Sequence, residues 1–259
     1  MAGSHAHTPM LLTRAVNSIY NGLLSLIYPQ ACSLCGASIE DRYLGVACAQ
    51  CWRETRTFTT MDILCWKCGA LSFGTIAPEK RNQVRCHSCD SDAFTAARAC
   101  GAYEEALRAS VLALKREPYI SQRLVSLMVE TQARAPLDSA TRIIPVPLHP
   151  ARERVRGFNQ AAILGSQLAR VVRLPFDEVS LIRTAHSERH RAGMDARGRR
   201  DTVAEAFRVR YPRLIEEERV LLVDDVFTTG ATVSACAEAL MASGAKEVFV
   251  LTIARPVNY

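Results

Sequence analysis

Two adjacent carboxylates, Asp224 and Asp225, precede a short segment of small and hydroxyl-bearing residues. The apolar run at 220–223 predicts a strand buried on both faces of a parallel sheet, and residues 233–242 predict an amphipathic helix. A Thr- and Gly-rich turn at the start of a helix directs backbone N–H groups and hydroxyls at one point, which suits a phosphate monoester. Because carboxylates repel a phosphate, we expect these two to accept hydrogen bonds from neighbouring sugar hydroxyls.

The nine residues 224–232, Asp-Asp-Val-Phe-Thr-Thr-Gly-Ala-Thr, resemble the phosphoribosyl pyrophosphate (PRPP) motif of type I phosphoribosyltransferases. The resemblance implies that Asp224 and Asp225 hold the ribose 2′- and 3′-hydroxyls and that Mg²⁺ arrives with the diphosphate. The residues that it places around the 5′-phosphate are Thr228, Thr229, Gly230, Ala231 and Thr232. The alternative interpretation is an ordinary strand-to-helix turn with two exposed aspartates. Purine-salvage members usually carry an acidic residue at the position of Thr228, so a purine acceptor is less expected.

Eight of the ten cysteines form four Cys-x-x-Cys pairs. The pairs are Cys32/Cys35, Cys48/Cys51, Cys65/Cys68 and Cys86/Cys89. A two-residue gap lets both thiolates of a pair bind one metal ion, and such pairs are typical of zinc ribbons. We expect the first two pairs to bind one zinc and the last two pairs another, although cross-braced sites would use the same ligands. With four sulfur ligands each, both sites should be structural.

Other residues of this cysteine-rich region support or surround the expected sites. Gly36 and Gly69 each follow the second cysteine of a pair, where a positive-φ turn lets backbone N–H groups face the sulfurs. His87 lies inside the last pair and is interpreted as a bystander, with a substitute ligand as the alternative. Cys100 and Cys236 have no partner and are expected to be small core residues.

Composition sets wider limits on the chain of 259 residues, of which 49% are hydrophobic. A full hydrophobic core is therefore available, and no apolar run approaches the roughly 20 residues that span a bilayer. The cysteine spacing indicates metal sites in a reducing cytoplasm rather than secreted disulfides. The net charge of +6 is concentrated at 151–200, where eleven arginines face five acidic residues. Such a basic segment suits polyanions, although surface arginines are the plainer interpretation.

The predicted organisation has three parts, beginning with a tail and helix over 1–27. Residues 10–27 carry a helical apolar stripe, for which a signal peptide is the competing interpretation. A double zinc ribbon follows at 28–95, and residues 96–259 are predicted to form an α/β domain with a parallel sheet flanked by helices. Strands are predicted at 97–103, 142–148, 206–210 and 246–254, and helices at 104–115, 121–134 and 159–171. The strand at 142–148 is interrupted by two prolines, so it should end early and turn. The Arg- and Gly-rich segment 181–200 is expected to be a loop over the site.

The stretch 145–160, Pro-Val-Pro-Leu-His-Pro-Ala-Arg-Glu-Arg-Val-Arg-Gly-Phe-Asn-Gln, resembles the signature of the ComF family of bacterial competence-associated proteins. That family joins a cysteine-rich ribbon to a type I phosphoribosyltransferase-like domain, and the resemblance covers almost the whole chain. Guanidinium groups match phosphate oxygens, so Arg152, Arg154 and Arg156 are candidates for contact with pyrophosphate or another polyanion.

The resemblance implies a PRPP-binding protein that transfers or recognises a phosphoribosyl group, linked to competence and DNA uptake. The alternative is a non-catalytic competence adaptor that binds single-stranded DNA or a helicase, with PRPP or a nucleotide as a regulatory ligand. No residue is marked as a general base. The weak candidates are His149, His186, Glu188 and His190.

Overall fold

The computed structural model describes residues 30–72, 74–184 and 206–257. The predicted N-terminal tail and helix, most of the predicted 181–200 loop, and its candidates His186, Glu188 and His190 lie outside the described residues.

Residues from 96 onward form both helices and strands, whereas the described residues before 96 form short helices. The helices are α1 (Ala49–Glu54), α2 (Glu105–Leu114), α3 (Gln122–Gln132), α4 (Pro150–Arg156), α5 (Gln160–Val172) and α6 (Ala231–Ala242). The strands are β1 (Ala96–Ala102), β2 (Arg142–Pro145), β3 (Leu181–Arg183), β4 (Phe207–Val209), β5 (Arg219–Val226) and β6 (Glu247–Arg255). None of the helices in the described residues has the length and apolarity to cross a bilayer.

The main sheet of the described residues has four strands in the order β1-β6-β5-β2, and all its neighbours pair in parallel. Successive residues of β5 face opposite sides of this sheet. Leu221 and Val223 pack into one hydrophobic core with α2, α3 and α5. Val220 and Leu222 pack into a second core with α6. The predicted fold class is therefore confirmed: a parallel sheet flanked by helices and preceded by a small cysteine-rich module.

The cysteine-rich module is attached along β1. Thr57 forms an antiparallel bridge with Gly101. Phe58 N donates to Cys100 O at 2.8 Å, and Ala102 N donates to Arg56 O at 3.0 Å. A Cβ atom on Gly101 would lie 2.3 Å from Arg56 O, so only glycine allows this close approach.

Two segments differ in part from the sequence prediction. The strand in 142–148 ends early, at Pro145, as its two prolines predicted, but the short helix α4 that follows was not predicted. Pro150 begins α4 and Gly157 ends it with φ +82°, an arrangement that favours a separate helical turn. The prediction of a loop at 181–200 is wrong for residues 181–183. These residues form β3, which pairs antiparallel with β4, and local composition does not indicate this pairing.

We predict that Gly101→Ala destabilises the protein by about 1–3 kcal/mol, since the added methyl group meets the rigid backbone of residues 56–57. Urea unfolding measures the change. Gly165→Ala is the matched control: its methyl group lies 2.9 Å from the side chain of Phe176, which can shift, so the loss should be smaller. Equal stability of the Gly101→Ala variant and wild type would contradict the described attachment of the module.

Candidate functional site

Asp224 and Asp225 lie in the last three residues of β5, and both are partly buried. β5 is an inner strand, with β6 on one side and β2 on the other. Because these strands are parallel, the end of β5 shares one edge of the sheet with Pro145 of β2 and Arg255 of β6. Ligands of open parallel sheets bind at this carboxyl edge.

The turn after β5 is open to solvent. Phe227 is buried, whereas the side chains of Thr228, Thr229 and Thr232 are exposed. Gly230 has φ +81° and precedes α6 as its N-cap, with no side chain capping the helix. A Cβ atom there would lie 2.8 Å from the Phe227 ring, so both the conformation and the space require glycine. Ala231 N, the first N–H of α6, donates to Thr229 Oγ1 at 3.4 Å. The start of α6 is otherwise exposed to solvent at residues 228, 229, 231 and 232, as an anion site requires.

The two aspartates differ in their surroundings. Burial raises the pKa of Asp224 to about 7, and the charge of Asp225 adds to this increase. The backbone N–H of Asp225, which donates to Asp224 Oδ1 at 2.8 Å, opposes the shift. Asp225 instead forms an ion pair with Lys115, whose Nζ lies 3.3 Å from Asp225 Oδ2. Near neutral pH the pair therefore has one carboxylate in an ion pair with Lys115 and one carboxyl group, that of Asp224, which is protonated in part of the molecules.

The predicted arginines lie on α4, which follows β2 from the same edge of the sheet. Arg152 and Arg154 are exposed and Arg156 is partly buried. Among the described residues, none of the three forms an ion pair with Asp224 or Asp225, and Asp225 pairs with Lys115 instead. Asn159 orders the connection, because its side chain donates to Val146 O and accepts from Ala161 N, both at 3.0 Å.

The eight cysteines form two separate four-sulfur clusters. We call them the first cluster (Cys32, Cys35, Cys48 and Cys51) and the second cluster (Cys65, Cys68, Cys86 and Cys89), and within each the sulfurs lie within 4.8 Å of one another. This confirms the sequential grouping and excludes the cross-braced one. The contacts between sulfurs measure 3.7 Å in the first cluster and 3.4–3.7 Å in the second. A tetrahedral site with metal–sulfur bonds of about 2.3 Å places its ligands roughly 3.8 Å apart, so both clusters fit such an ion.

Backbone N–H groups support the sulfurs as the sequence predicted. Gly36 and Gly69 have φ values of +75° and +69°. Burial alone raises the pKa of the Cys32 thiol, but donors from the backbone, including the N–H of Cys48, lower it to about 6. The same balance lowers the pKa of Cys65 to about 7. Cys32 and Cys65 thus favour the thiolate form that binds a metal, whereas burial raises the pKa of the Cys51 and Cys89 thiols. His87 is fully exposed outside the second cluster, which confirms it as a bystander.

Comparison with known proteins places these features in a family. The DNA utilization protein YhgH of Shigella flexneri is 30% identical over 239 residues, which cover 89% of this chain and 99% of that protein. Competence protein F of Haemophilus influenzae is 36% identical over 135 residues, which cover 51% of this chain and 58% of the relative. This chain belongs to the ComF family. No family model matches it.

Among solved structures, the ComF-family chain is similar to the glutamine PRPP amidotransferase from B. subtilis in complex with ADP and GMP. The TM-score is 0.35 with 19% sequence identity, and the match covers 50% of this chain and 25% of the other.

Sequence reasoning on this ComF-family chain missed Lys115. The residue is the C-cap of α2 and has no motif around it, so only the tertiary contact with Asp225 shows its role.

Of the general-base candidates, His149 is described. It is buried, and its Nδ1 accepts from Ala151 N at 3.2 Å as the N-cap of α4.

We predict that Asp224→Asn stabilises the protein more at pH 8 than at pH 5.5. The pKa of Asp224 is raised from 3.8 to about 7, so the native state keeps a proton that the unfolded state has lost. The stability this provides falls as pH rises from about 4 and is gone above about 7, whereas asparagine does not titrate. The free energy of unfolding of the wild type changes by about 1.4 kcal/mol per pH unit up to about pH 7. The stability of the variant relative to the wild type should therefore grow by about 2 kcal/mol between about pH 5.5 and pH 8.

Urea unfolding at the two pH values measures that growth. Asp138→Asn, which removes an exposed carboxyl, serves as the control and should show no such pH dependence. A stability difference for Asp224→Asn that is equal at both pH values would contradict the described burial of Asp224.

Proposed function

We propose that this protein binds PRPP, or a closely related phosphoribosyl ligand, together with Mg²⁺. The observation that carries the proposal is the open turn 228–232, which follows two aspartates at the end of an inner parallel strand. The ligand's 5′-phosphate accepts hydrogen bonds from the first N–H groups of α6 and from the hydroxyls of Thr228, Thr229 and Thr232. The backbone of Gly230 and Ala231 completes this turn.

In this proposal the paired aspartates hold the ribose. Asp224 and Asp225 accept hydrogen bonds from the 2′- and 3′-hydroxyls. Lys115 holds Asp225 in place through their ion pair, while a bound ligand with hydroxyl donors favours ionisation of Asp224. Carboxylate oxygens are also the ligands that Mg²⁺ prefers, and the ion would offset the charge of the diphosphate.

The arginines of α4 are proposed to hold the pyrophosphate. Arg152, Arg154 and Arg156 lie on α4, which follows β2 at the edge of the sheet that carries the aspartates. Guanidinium groups stabilise the charge that develops on a leaving pyrophosphate, so the same residues would serve recognition and phosphoribosyl transfer.

We further propose that each cysteine cluster binds one structural zinc ion. The sulfur spacings fit the ion, and four protein ligands leave no position for water. A module of this size gains much of its folding free energy from metal binding. Thiolate metal ligands persist in a reducing compartment, so the two four-sulfur clusters support a cytoplasmic location.

We predict that the double variant Asp224→Asn, Asp225→Asn loses at least tenfold in affinity for PRPP with Mg²⁺, because amides replace both ionised acceptors. Isothermal titration calorimetry at pH 8 measures the affinity. The control is Asp138→Asn, an exposed position outside the proposed site, which should bind as wild type does. Unchanged PRPP affinity in the double variant would refute the assignment of the ribose site.

A second candidate function is a competence adaptor that binds single-stranded DNA or a helicase, with PRPP as a regulatory ligand. The exposed Arg152 and Arg154 favour it, and so do the relatives named for DNA utilization and competence. An adaptor would release no pyrophosphate with any base or amine, whereas a transferase would release it with its acceptor.

If the arginines contact DNA, replacing Arg152, Arg154 and Arg156 with glutamine should weaken single-stranded DNA binding at low salt. Three lost phosphate contacts reduce the slope of log affinity against log salt by roughly 2. Fluorescence anisotropy over a salt series measures this slope. The control replaces three exposed arginines from other parts of the surface, Arg53, Arg116 and Arg213, and should leave the slope unchanged. An unchanged slope in the first variant would exclude α4 as a DNA contact.

A further inference from the structure

The segment that follows the second cluster packs directly against the proposed phosphate turn. The ring of Phe94 meets the ring of Phe227 edge to face, with centroids 5.8 Å apart. Ala93 N donates to Ser234 Oγ in α6 at 3.0 Å. Residues 93–94 therefore contact the chain both before and after the turn.

Arg255 makes a second connection between the same two regions. Its guanidinium donates to the carbonyl of Cys68, one of the four sulfur-bearing residues of the second cluster. The same guanidinium lies 5.0 Å from the centroid of the Phe227 ring. Phe227 N also donates to Ala254 O at 2.9 Å. One side chain at the end of β6 thus joins a cysteine pair to the residue that leads into the turn.

The first cluster lies on the other face of the sheet. Cys32, Cys48 and Cys51 belong to the core that includes α2, α3 and α5, whereas the second cluster shares its core with Phe227 and α6. The contacts from the region of the first cluster run to α2 and α3: Thr55 Oγ1 accepts from Ala106 N, and Tyr43 donates to Ser126. The second cluster therefore shares a core with Phe227, which leads into the turn, whereas the first cluster packs in the other core.

We propose that Arg255 is a positioning residue through which the second cluster and the 228–232 turn stabilise each other. Metal bound by Cys65, Cys68, Cys86 and Cys89 fixes the Cys68 carbonyl and residues 93–94, and these hold Phe227 and the start of α6 in the geometry that receives a phosphate. The first cluster has no such effect. This inference rests on the proposed binding of a phosphoribosyl ligand.

Such coupling is reciprocal. If metal in the second cluster raises the affinity of the turn for its ligand, the ligand raises the affinity of that cluster for metal by the same factor. The chain carries two tryptophans, and each lies at one cluster. Trp66 lies between Cys65 and Cys68, with the Arg98 guanidinium 5.1 Å from its ring centroid, and Trp52 follows Cys51. Each tryptophan can report the state of its own cluster.

The test is a chelator titration of the full zinc-loaded chain with and without PRPP and Mg²⁺, followed by tryptophan fluorescence. The chelator must bind zinc far more tightly than Mg²⁺. Trp52→Phe leaves Trp66 to report the second cluster, and Trp66→Phe leaves Trp52 to report the first. For the second cluster, we expect PRPP to raise the chelator concentration that removes half of the zinc by about fivefold or more. For the first cluster, we expect that concentration to stay the same.

Arg255 variants test its positioning role. Arg255→Met should remove most of the PRPP-dependent shift at the second cluster, while Arg255→Lys should keep part of it because a cation remains near Phe227 and Cys68. If Arg255→Met does not fold, the comparison of the two tryptophans in the wild-type Arg255 background still decides whether the cluster and the turn are coupled.

Calorimetry of the zinc-loaded protein separates the possible failures. PRPP that binds without shifting the second cluster, or that shifts both clusters equally, would overturn the coupling and leave the proposed function intact. PRPP that does not bind at all would overturn both.

Discussion

The parallel alignment of β5 between β6 and β2 is the constraint on which the candidate site depends. Val223 lies beside Leu251 of β6 and Pro145 of β2. The four apolar residues 220–223 are fully buried, so a slip of one residue would bring Arg219 or Asp224 into the interior. Asp224 and Asp225 are therefore held at the edge by side chains that are buried beneath the site. This placement explains why burial raises the pKa of Asp224 while Asp225 forms an ion pair with Lys115.

Much of the local structure could be predicted because its signals are local. The Cys-x-x-Cys spacing places two sulfurs on one turn, and the glycines after Cys35 and Cys68 indicate positive φ whatever the tertiary fold. The apolar run, the paired acids and the Thr-Gly turn likewise predict a strand, its end and a helix start, as found in β5 and α6. The grouping of the cysteine pairs could not be decided from the sequence. Sequential and cross-braced sites use the same ligands, and only the distances between the sulfur atoms distinguish the two arrangements.

The contacts that sequence reasoning missed join residues far apart in the chain. Arg255 and Cys68 are separated by 187 positions, and Ala93 and Ser234 by 141. Neither pair has a periodic or spacing signal, because each contact exists only once the sheet has formed. The strand β3 was missed for the same reason, since its partner β4 lies beyond the intervening segment 185–205. The relation between the second cluster and the turn is thus a property of the tertiary fold.

The attachment of residues 56–58 along β1 also bears on the colloidal behaviour of the protein. β1 is the outer strand of the parallel sheet, and the cysteine-rich module occupies hydrogen-bonding positions on its far side. At the opposite border, Ile143 N donates to Pro175 O. A bare outer strand offers free N–H and C=O groups to other chains and promotes aggregation. Detachment of the module would uncover such a strand, so its anchoring also shields the folded chain from self-association.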